Sequence, residues 1–517
     1  LAELRAALGG VYEAKGWLQP AYMDRTLTAG RTPVRAAHVM ELREAVEVYE
    51  SPTPSLAPYY TMLPFDVIDP SYRPHQHTSY HTDLDGDGNE DLVLLGTTWP
   101  DPERGVTAAN WRPQPGRVFL GDGDGGFRRA PAELFPVDTL NTVNPSGESP
   151  FGDLNGDGLT DMFIAEGGWD APPFPGGQNR LYLSRPGGGW RDATNESDLP
   201  RLSDFSHSAV IGDIRGLGTP DIVVGNIWRS VPPGHQILPY ALLNNGDETF
   251  SLDRSILPVG PDETFHFVSR GFTITGTVLA DLDADGLPEL IALGEGHVGE
   301  GREGSPGIEA VSSVFWNRAG AFGEQHKTPL PSPEVFAQDG HIDLDAAVFD
   351  ADGDGLLDVV IVGTKLDPFY EGWFVQLLMN RGDGTFADET SARLLPHEQS
   401  SGNEGCGDRC THPRRVSVLD FNGDGAADFV MQVALPLPPN QPLIWLNDGS
   451  GRFSALKVHD FIHPDLFIEW QYLLGDALLV RTRHGYSFIV TWSDYDWPRP
   501  GAAGVILTGL LATRPYR

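Results

Sequence analysis

Five copies of one acidic nonapeptide, each running straight into a short aliphatic stretch, constrain this chain more than any other feature. They begin at Asp83 (DLDGDGNED), Asp153 (DLNGDGLTD), Asp281 (DLDADGLPE), Asp350 (DADGDGLLD) and Asp420 (DFNGDGAAD), and an eroded sixth begins at Asp213 (DIRGLGTPD). Successive starts lie 70, 60, 68, 69 and 70 residues apart. One isolated Asp-Gly cluster would read as an ordinary turn. Copies in register, with the same glycine and the same following strand, read as a structural repeat.

Oxygens at positions 1, 3, 5, 7 and 9 of a tight loop can converge on one hard cation. Calcium accepts six to eight of them at roughly 2.3–2.6 Å in irregular geometry, whereas magnesium demands a near-octahedral shell and keeps its waters. In the first copy the ligands would be the side chains of Asp83, Asp85, Asp87 and Asp91 and the carbonyl of Asn89. Glycine at position 6, present in all six copies, permits the sharp bend. The eroded copy keeps Asp213 and Asp221 but has Arg215 and Leu217 at positions 3 and 5. It is expected to hold no ion, with the Arg215 guanidinium standing in as a built-in cation. An EF-hand shares the Asp-x-Asp-x-Asp-Gly opening, but its loop is flanked by helices and closes at position 12. Here the loop closes at position 9 and enters DLVLL, DMFIA, ELIAL, DVVIV or DFVMQ, short apolar runs that predict buried strands.

Each unit carries a second shared element, an apolar strand entering a Gly-rich hairpin and leaving on an aromatic. Examples are VFLGDGDGGF (118–127), LYLSRPGGGW (181–190), ALLNNGDETF (241–250), VFWNRAGAF (314–322), LLMNRGDGTF (377–386) and IWLNDGSGRF (444–453). The Asn-Gly and Asp-Gly tips supply the positive φ angles of tight hairpins. One unit therefore reads as four antiparallel strands, one propeller blade. Six units are clear, and LLGDALLV (473–480), YSFIVTW (486–492) and GVILTGLLAT (504–513) suggest a seventh without a metal motif. The expectation is an all-β, seven-bladed β-propeller over 59–517, with a strand near Tyr59–Val67 closing the ring.

The pattern resembles the FG-GAP/VCBS repeat proteins, the family of the integrin α-subunit head and of several secreted bacterial propellers. The resemblance covers roughly residues 55–515. It implies calcium loops on one face, partner-binding loops on the other, and about five bound calcium ions. Carried over by position, it implies further ligand sets at Asp153, Asn155, Asp157, Leu159 and Asp161, and at Asp281, Asp283, Asp285, Leu287 and Glu289. It also implies sets at Asp350, Asp352, Asp354, Leu356 and Asp358, and at Asp420, Asn422, Asp424, Ala426 and Asp428. Leu159, Leu287, Leu356 and Ala426 would contribute main-chain carbonyls.

The chain has 72 acidic against 36 basic residues, a formal charge of −36. That argues against a nucleic-acid partner, which needs a basic face, and against unaided docking on anionic membranes. No transmembrane stretch of about 20 apolar residues is present. The two cysteines, Cys406 and Cys410, could close a small disulfide loop; free thiols or half of a zinc site are the alternatives. Calcium demand and a disulfide suit a secreted, extracellular or cell-surface setting, and the chain begins at Leu1 rather than Met, as a processed or truncated start would. Residues 1–50 predict helices, with Thr32-Pro33 as a start signal and ELRAAL and ELREAV recurring 38 residues apart. They form either a cap on the propeller or an arm that docks on a neighbouring subunit, joined by a Pro-rich linker at 51–58.

Trp99, Trp169 and Trp228 each enter the long loop between the second and third strands of a unit. On the face away from calcium they could stack on sugars or anchor a protein, or simply pack blade against blade. Arg381-Gly382-Asp383 spells an adhesion tripeptide but falls at a hairpin turn, and His75, His77 and His81 read as surface residues. There is no GxSxG elbow, HExxH or P-loop. The reading is a non-catalytic calcium-binding module whose partner is an extracellular glycan, a protein or a second copy of itself. The alternative is a polysaccharide-active, lyase-like enzyme using residues such as His207, Arg229 and His297.

Overall fold

The computed structural model describes residues 55–64, 76–98, 100, 106–135, 140–145, 150–171, 175–185, 188–226, 239–257, 274–296, 312–335, 340–366, 371–395, 412–434, 440–461, 474–483, 485–493 and 505–512. The helical segment expected at 1–50, most of the 51–58 linker, Trp99, Trp228, His75, Cys406 and Cys410 lie outside them. Among the described residues the protein is all-β apart from two single-turn helices, α1 (Thr390–Arg393) and α2 (Val458–Phe461).

Three units form separate four-stranded antiparallel sheets. The first contains Gln76–Thr82, Asp91–Thr97, Arg117–Gly121 and Phe127–Arg129. The second runs from Phe151–Gly152 to Trp190–Asp192, and the third from Ser206–Gly212 to Phe250–Asp253. In each, the acidic loop joins the first two strands and the Gly-rich hairpin joins the last two, as the repeat predicts.

Elsewhere neighbouring units fuse. The Asp281 and Asp350 units share one eight-stranded sheet, joined where Glu295 and Gly296 pair with Ile342 and His341. The Asp420 unit and the C-terminal strands share a nine-stranded sheet, joined where Val433 and Ala434 pair with Ala477 and Asp476. This sheet also takes in Ser55–Pro64, paired antiparallel with Val505–Ala512. Setting aside one two-stranded ribbon, Gln114–Pro115 with Asn141–Thr142, the described strands form five sheets, and so five blades, which corrects the expectation of seven. The reason is local: the strands Glu289–Gly296 and Asp428–Ala434 run far enough for their last residues to meet the first strand of the next unit. Periodicity counts repeats, but it is silent on whether the edges of adjacent repeats bond.

The core lies between sheets. Within Asp91–Thr97 every residue is buried, and alternate side chains serve different neighbours. Val93 and Leu95 pack with Met162, Ile164, Tyr182 and Trp190 of the second unit. Leu92 and Leu94 pack with Leu478, Val480 and Ile489 near the C-terminus. The first unit thus contacts both its successor and the end of the chain, which closes the ring. A strand buried on both faces reads as a near-continuous apolar run, here Leu92 to Leu95, which is why the runs after the loops lack polar alternation.

Candidate metal loops

The six loops share one hydrogen-bonded frame. The position-1 carboxylate accepts backbone N–H groups from the loop it opens: Asp83 from Gly86 and Gly88 (both 2.9 Å), Asp350 from Gly353 (2.8 Å) and Gly355 (3.0 Å). The eroded loop keeps this cap, with Asp213 accepting from Leu217 (2.9 Å) and Gly218 (2.6 Å). In the five intact copies position 5 also accepts from position 7, as in Asp87 from Asn89 (2.8 Å) and Asp424 from Ala426 (2.8 Å). Gly88 has φ +84° with nothing near a would-be Cβ, so its glycine is required by the backbone angle and not by space.

Position 9 is buried in every copy. Asp428 accepts Phe421 N–H (2.8 Å) on one oxygen and Asn447 N–H (2.7 Å) on the other. Asp358 does the same with Ala351 (3.0 Å) and Asn380 (2.8 Å), and Asp91 with Leu84 and Gly121 (both 2.8 Å). This carboxylate therefore ties the start of the loop to the third strand of its unit. Burial pushes Asp91, Glu289 and Asp428 up to about 7 and Asp358 up to about 6, and the neighbouring loop carboxylates push the same way. Burial also raises Asp161 and Asp85.

Three copies bring three carboxylates together with oxygens within 4.8 Å of one another: Asp83, Asp85 and Asp91; Asp281, Asp283 and Asp285; Asp350, Asp352 and Asp358. The Asp153 and Asp420 copies have Asn155 and Asn422 at position 3, each accepting the position-5 N–H on its amide oxygen (3.1 and 3.0 Å). In the Asp153 copy the Ser184 hydroxyl adds an oxygen beside Asp157 (2.9 Å) and Asp161 (2.7 Å). The donors are all oxygen, and Oδ1 of Asp352 is buried without a hydrogen bond. Packed carboxylates that repel one another, with an orphaned oxygen among them, fit a hard divalent cation.

The eroded copy has the same frame closed by a guanidinium. Arg215 donates to both oxygens of the buried Asp221 (3.0 and 2.7 Å) and to the carbonyl of Asn244 (2.8 Å). Removing that cation strands a buried carboxylate. Arg215→Ala is therefore expected to cost about 3 kcal/mol of stability, equally with and without calcium, which chemical denaturation in calcium and in chelator measures.

A set of residues that the motif reading passed over links loop to loop. Asn244, Asn317, Asn380 and Asn447 end the third strand of their units, and each donates its side-chain amide to the position-2 carbonyl of the preceding loop. Their acceptors are Leu154 (2.7 Å), Ile214 (2.8 Å), Leu282 (3.2 Å) and Ala351 (2.8 Å) respectively. The signal was present in the sequence, since LLNNG, FWNRA, LMNRG and WLNDG all place asparagine at that point.

The aromatic reading needs correction. Trp169 is 1 % exposed and stacks on Trp111 (centroids 6.0 Å, planes 12° apart), so its ring packs inside the protein and is not offered to a partner. Arg381–Asp383 is a hairpin tip, closed by Arg381 N–H to Thr385 O (3.0 Å), and His81 pairs with Glu90 (2.8 Å).

The sequence pattern of the FG-GAP-like repeat matches residues 83–164, 153–224, 281–361 and 350–431, together more than half of the chain. The chain belongs to the FG-GAP-like repeat family. Each matched FG-GAP-like repeat opens on an acidic loop and ends in the buried strand after the next one. No curated protein matches the chain in sequence. Among solved structures, BBS1N in complex with ARL6DN is similar over 88 % of this chain and 98 % of its own, at 10 % identity and TM-score 0.37. The Vibrio cholerae biofilm matrix protein Bap1 is similar over 89 % and 71 %, at 11 % identity and TM-score 0.31. The α-L-arabinofuranosidase Arb93A from Fusarium graminearum is similar over 79 % and 98 %, at 10 % identity and TM-score 0.40. Likeness at this level bears on neither substrate nor partner.

Proposed function

We propose that this FG-GAP-like propeller is a calcium-stabilised, non-catalytic binding or assembly module that works outside the cell. The observation that carries the reading is the convergence of loop carboxylates at Asp83, Asp281 and Asp350 around buried acids held well above the usual carboxylate range. Side chains at positions 1, 3, 5 and 9 of the five intact copies would hold the ions, with main-chain carbonyls at position 7. Bound calcium would supply the compact double charge that offsets the repulsion among them. The position-9 acids are buried and spend both oxygens on backbone N–H groups, which suits a structural ligand and leaves them no path to a substrate. A net charge of −36 disfavours nucleic acid, and no helix among the described residues is long and apolar enough to cross a membrane. The partner class is an extracellular glycan, a protein or a second copy of this chain.

Elemental analysis after dialysis against micromolar calcium is expected to find about five ions per chain, and a glycan array is expected to report binding without product. Release of unsaturated or reducing ends from any arrayed polysaccharide would replace the binding reading with an enzymatic one.

A further inference from the structure

The Asp281 loop departs from the other intact copies in two respects that act together. First, its position 4 is Ala284 at φ +58°, where Gly86, Gly156, Gly353 and Gly423 adopt the same left-handed turn at φ +74° to +77°. An alanine there bears a steric cost that glycine avoids. Second, a guanidinium reaches into it from the hairpin of its own unit. Nη1 of Arg318 lies 3.2 Å from Asp283, 3.7 Å from Asp285 and 3.9 Å from Glu289, touching positions 3, 5 and 9 at once. The same nitrogen donates to the Asn317 carbonyl (2.7 Å), which holds it over the loop.

Among the described residues no other arginine bonded to a loop is placed in this way; Arg483, for one, reaches the Asp83 loop only at the Asn89 amide oxygen (3.3 Å). Arg215 belongs to the eroded loop itself and is clamped on the buried Asp221. Arg393 touches the Asp350 loop only at Asp352 (3.0 Å) and is otherwise held by Glu389 and the carbonyls of Ser450 and Gly451. The Arg318 side chain is 44 % exposed, so it can leave for solvent without crossing packed structure.

We propose that Arg318 is an exchangeable counter-ion that competes with calcium for the Asp281 loop, making this the weakest of the five sites and the first to empty as calcium falls. The inference rests on the calcium reading above. The chain would then hold two kinds of arginine-countered loop: a permanent one at Asp213 and a reversible one at Asp281. In the emptied state the guanidinium would offset the repulsion among Asp283, Asp285 and Glu289, so the loop keeps its shape without metal. Binding of calcium must expel a like charge, which lowers affinity.

Stepwise calcium titration against a competing chelator tests this on the full chain. The expected wild-type profile has one step weaker than the rest by about tenfold or more; that step disappears in Asp285→Ala and moves up to join the others in Arg318→Gln. Arg318→Lys, which keeps the charge, retains the weak step. Melting gives a second readout that is independent of the titration: Arg318→Gln melts below wild type in metal-free buffer and not below it in saturating calcium. Five equal steps, a weak step that survives Asp285→Ala, or one unmoved by Arg318→Gln would overturn the role of Arg318 while leaving calcium binding intact. A chain that takes up no calcium would overturn the reading beneath it as well.

Discussion

Asp428→Ala is expected to destabilise the protein by about 2–4 kcal/mol even in chelator, and by more when calcium is bound, whereas Asp424→Ala should lower stability only when calcium is there to lose. Both residues are acids of one loop, four positions apart, yet they do different work. Asp428 is 0 % exposed and holds the N–H groups of Phe421 and Asn447 at 2.8 and 2.7 Å. Truncating it orphans two donors, each costing about 1–3 kcal/mol when buried, and part of that loss is returned because a costly buried charge is also removed. Asp424 is exposed and accepts the N–H of Ala426 (2.8 Å) and the side-chain amide of Asn422 (2.9 Å) within the loop, both of which water can replace. Urea denaturation of both variants, in calcium and in chelator, separates the two roles. No loss of stability in chelator for Asp428→Ala would show that position 9 is a ligand only and not also a strut.

Metal-free and calcium-loaded protein should respond to pH in opposite directions. Without metal, burial raises Asp91, Glu289 and Asp428 to about 7 and Asp358 to about 6, against about 4 for an unfolded carboxylate. Between pH 4 and pH 7 the folded state then binds more protons than the unfolded one, so stability falls as pH rises through that window. With calcium the ligands must be deprotonated, so affinity and the stability it confers fall as pH drops below about 7. Five sites saturated a hundredfold above their dissociation constants would together contribute on the order of 10 kcal/mol. For a chain of 517 residues that is about 10 °C in melting temperature. Scanning calorimetry on dialysed protein should find the metal-free melt higher at pH 5 than at pH 7.5 and the calcium-loaded melt higher at pH 7.5 than at pH 5. A single pH trend common to both forms would rule out metal relief of these acids.

The loop frame was legible because its information is local. Positive-φ glycines at Gly88 or Gly355 and the short carboxylate-to-N–H spans of Asp83 and Asp350 follow from residues within nine positions of one another. The buried strand after each loop was legible for a similar reason, since its central residues, here Leu92 to Leu95, are apolar on both faces to sit between two neighbours. The sequence left Trp169 open between partner contact and blade packing because nothing near it announces Trp111, the ring it stacks on 58 positions earlier. The asparagines at 244, 317, 380 and 447 were visible as a recurring letter, but their acceptors lie 90 to 103 residues back.

By itself, then, the sequence determined the repeat, the family, the acid-lined loops and the strands that leave them, because a motif of nine residues closes its own hydrogen bonds. Only the tertiary structure decided that the blades number five, since fusion depends on Glu295 meeting Ile342 and Val433 meeting Ala477 across separate units. It also decided which arginine stands over which loop. Arg318 reaches Asp283 through a hairpin placed 35 residues downstream, a distance that only the packed sheet converts into 3.2 Å.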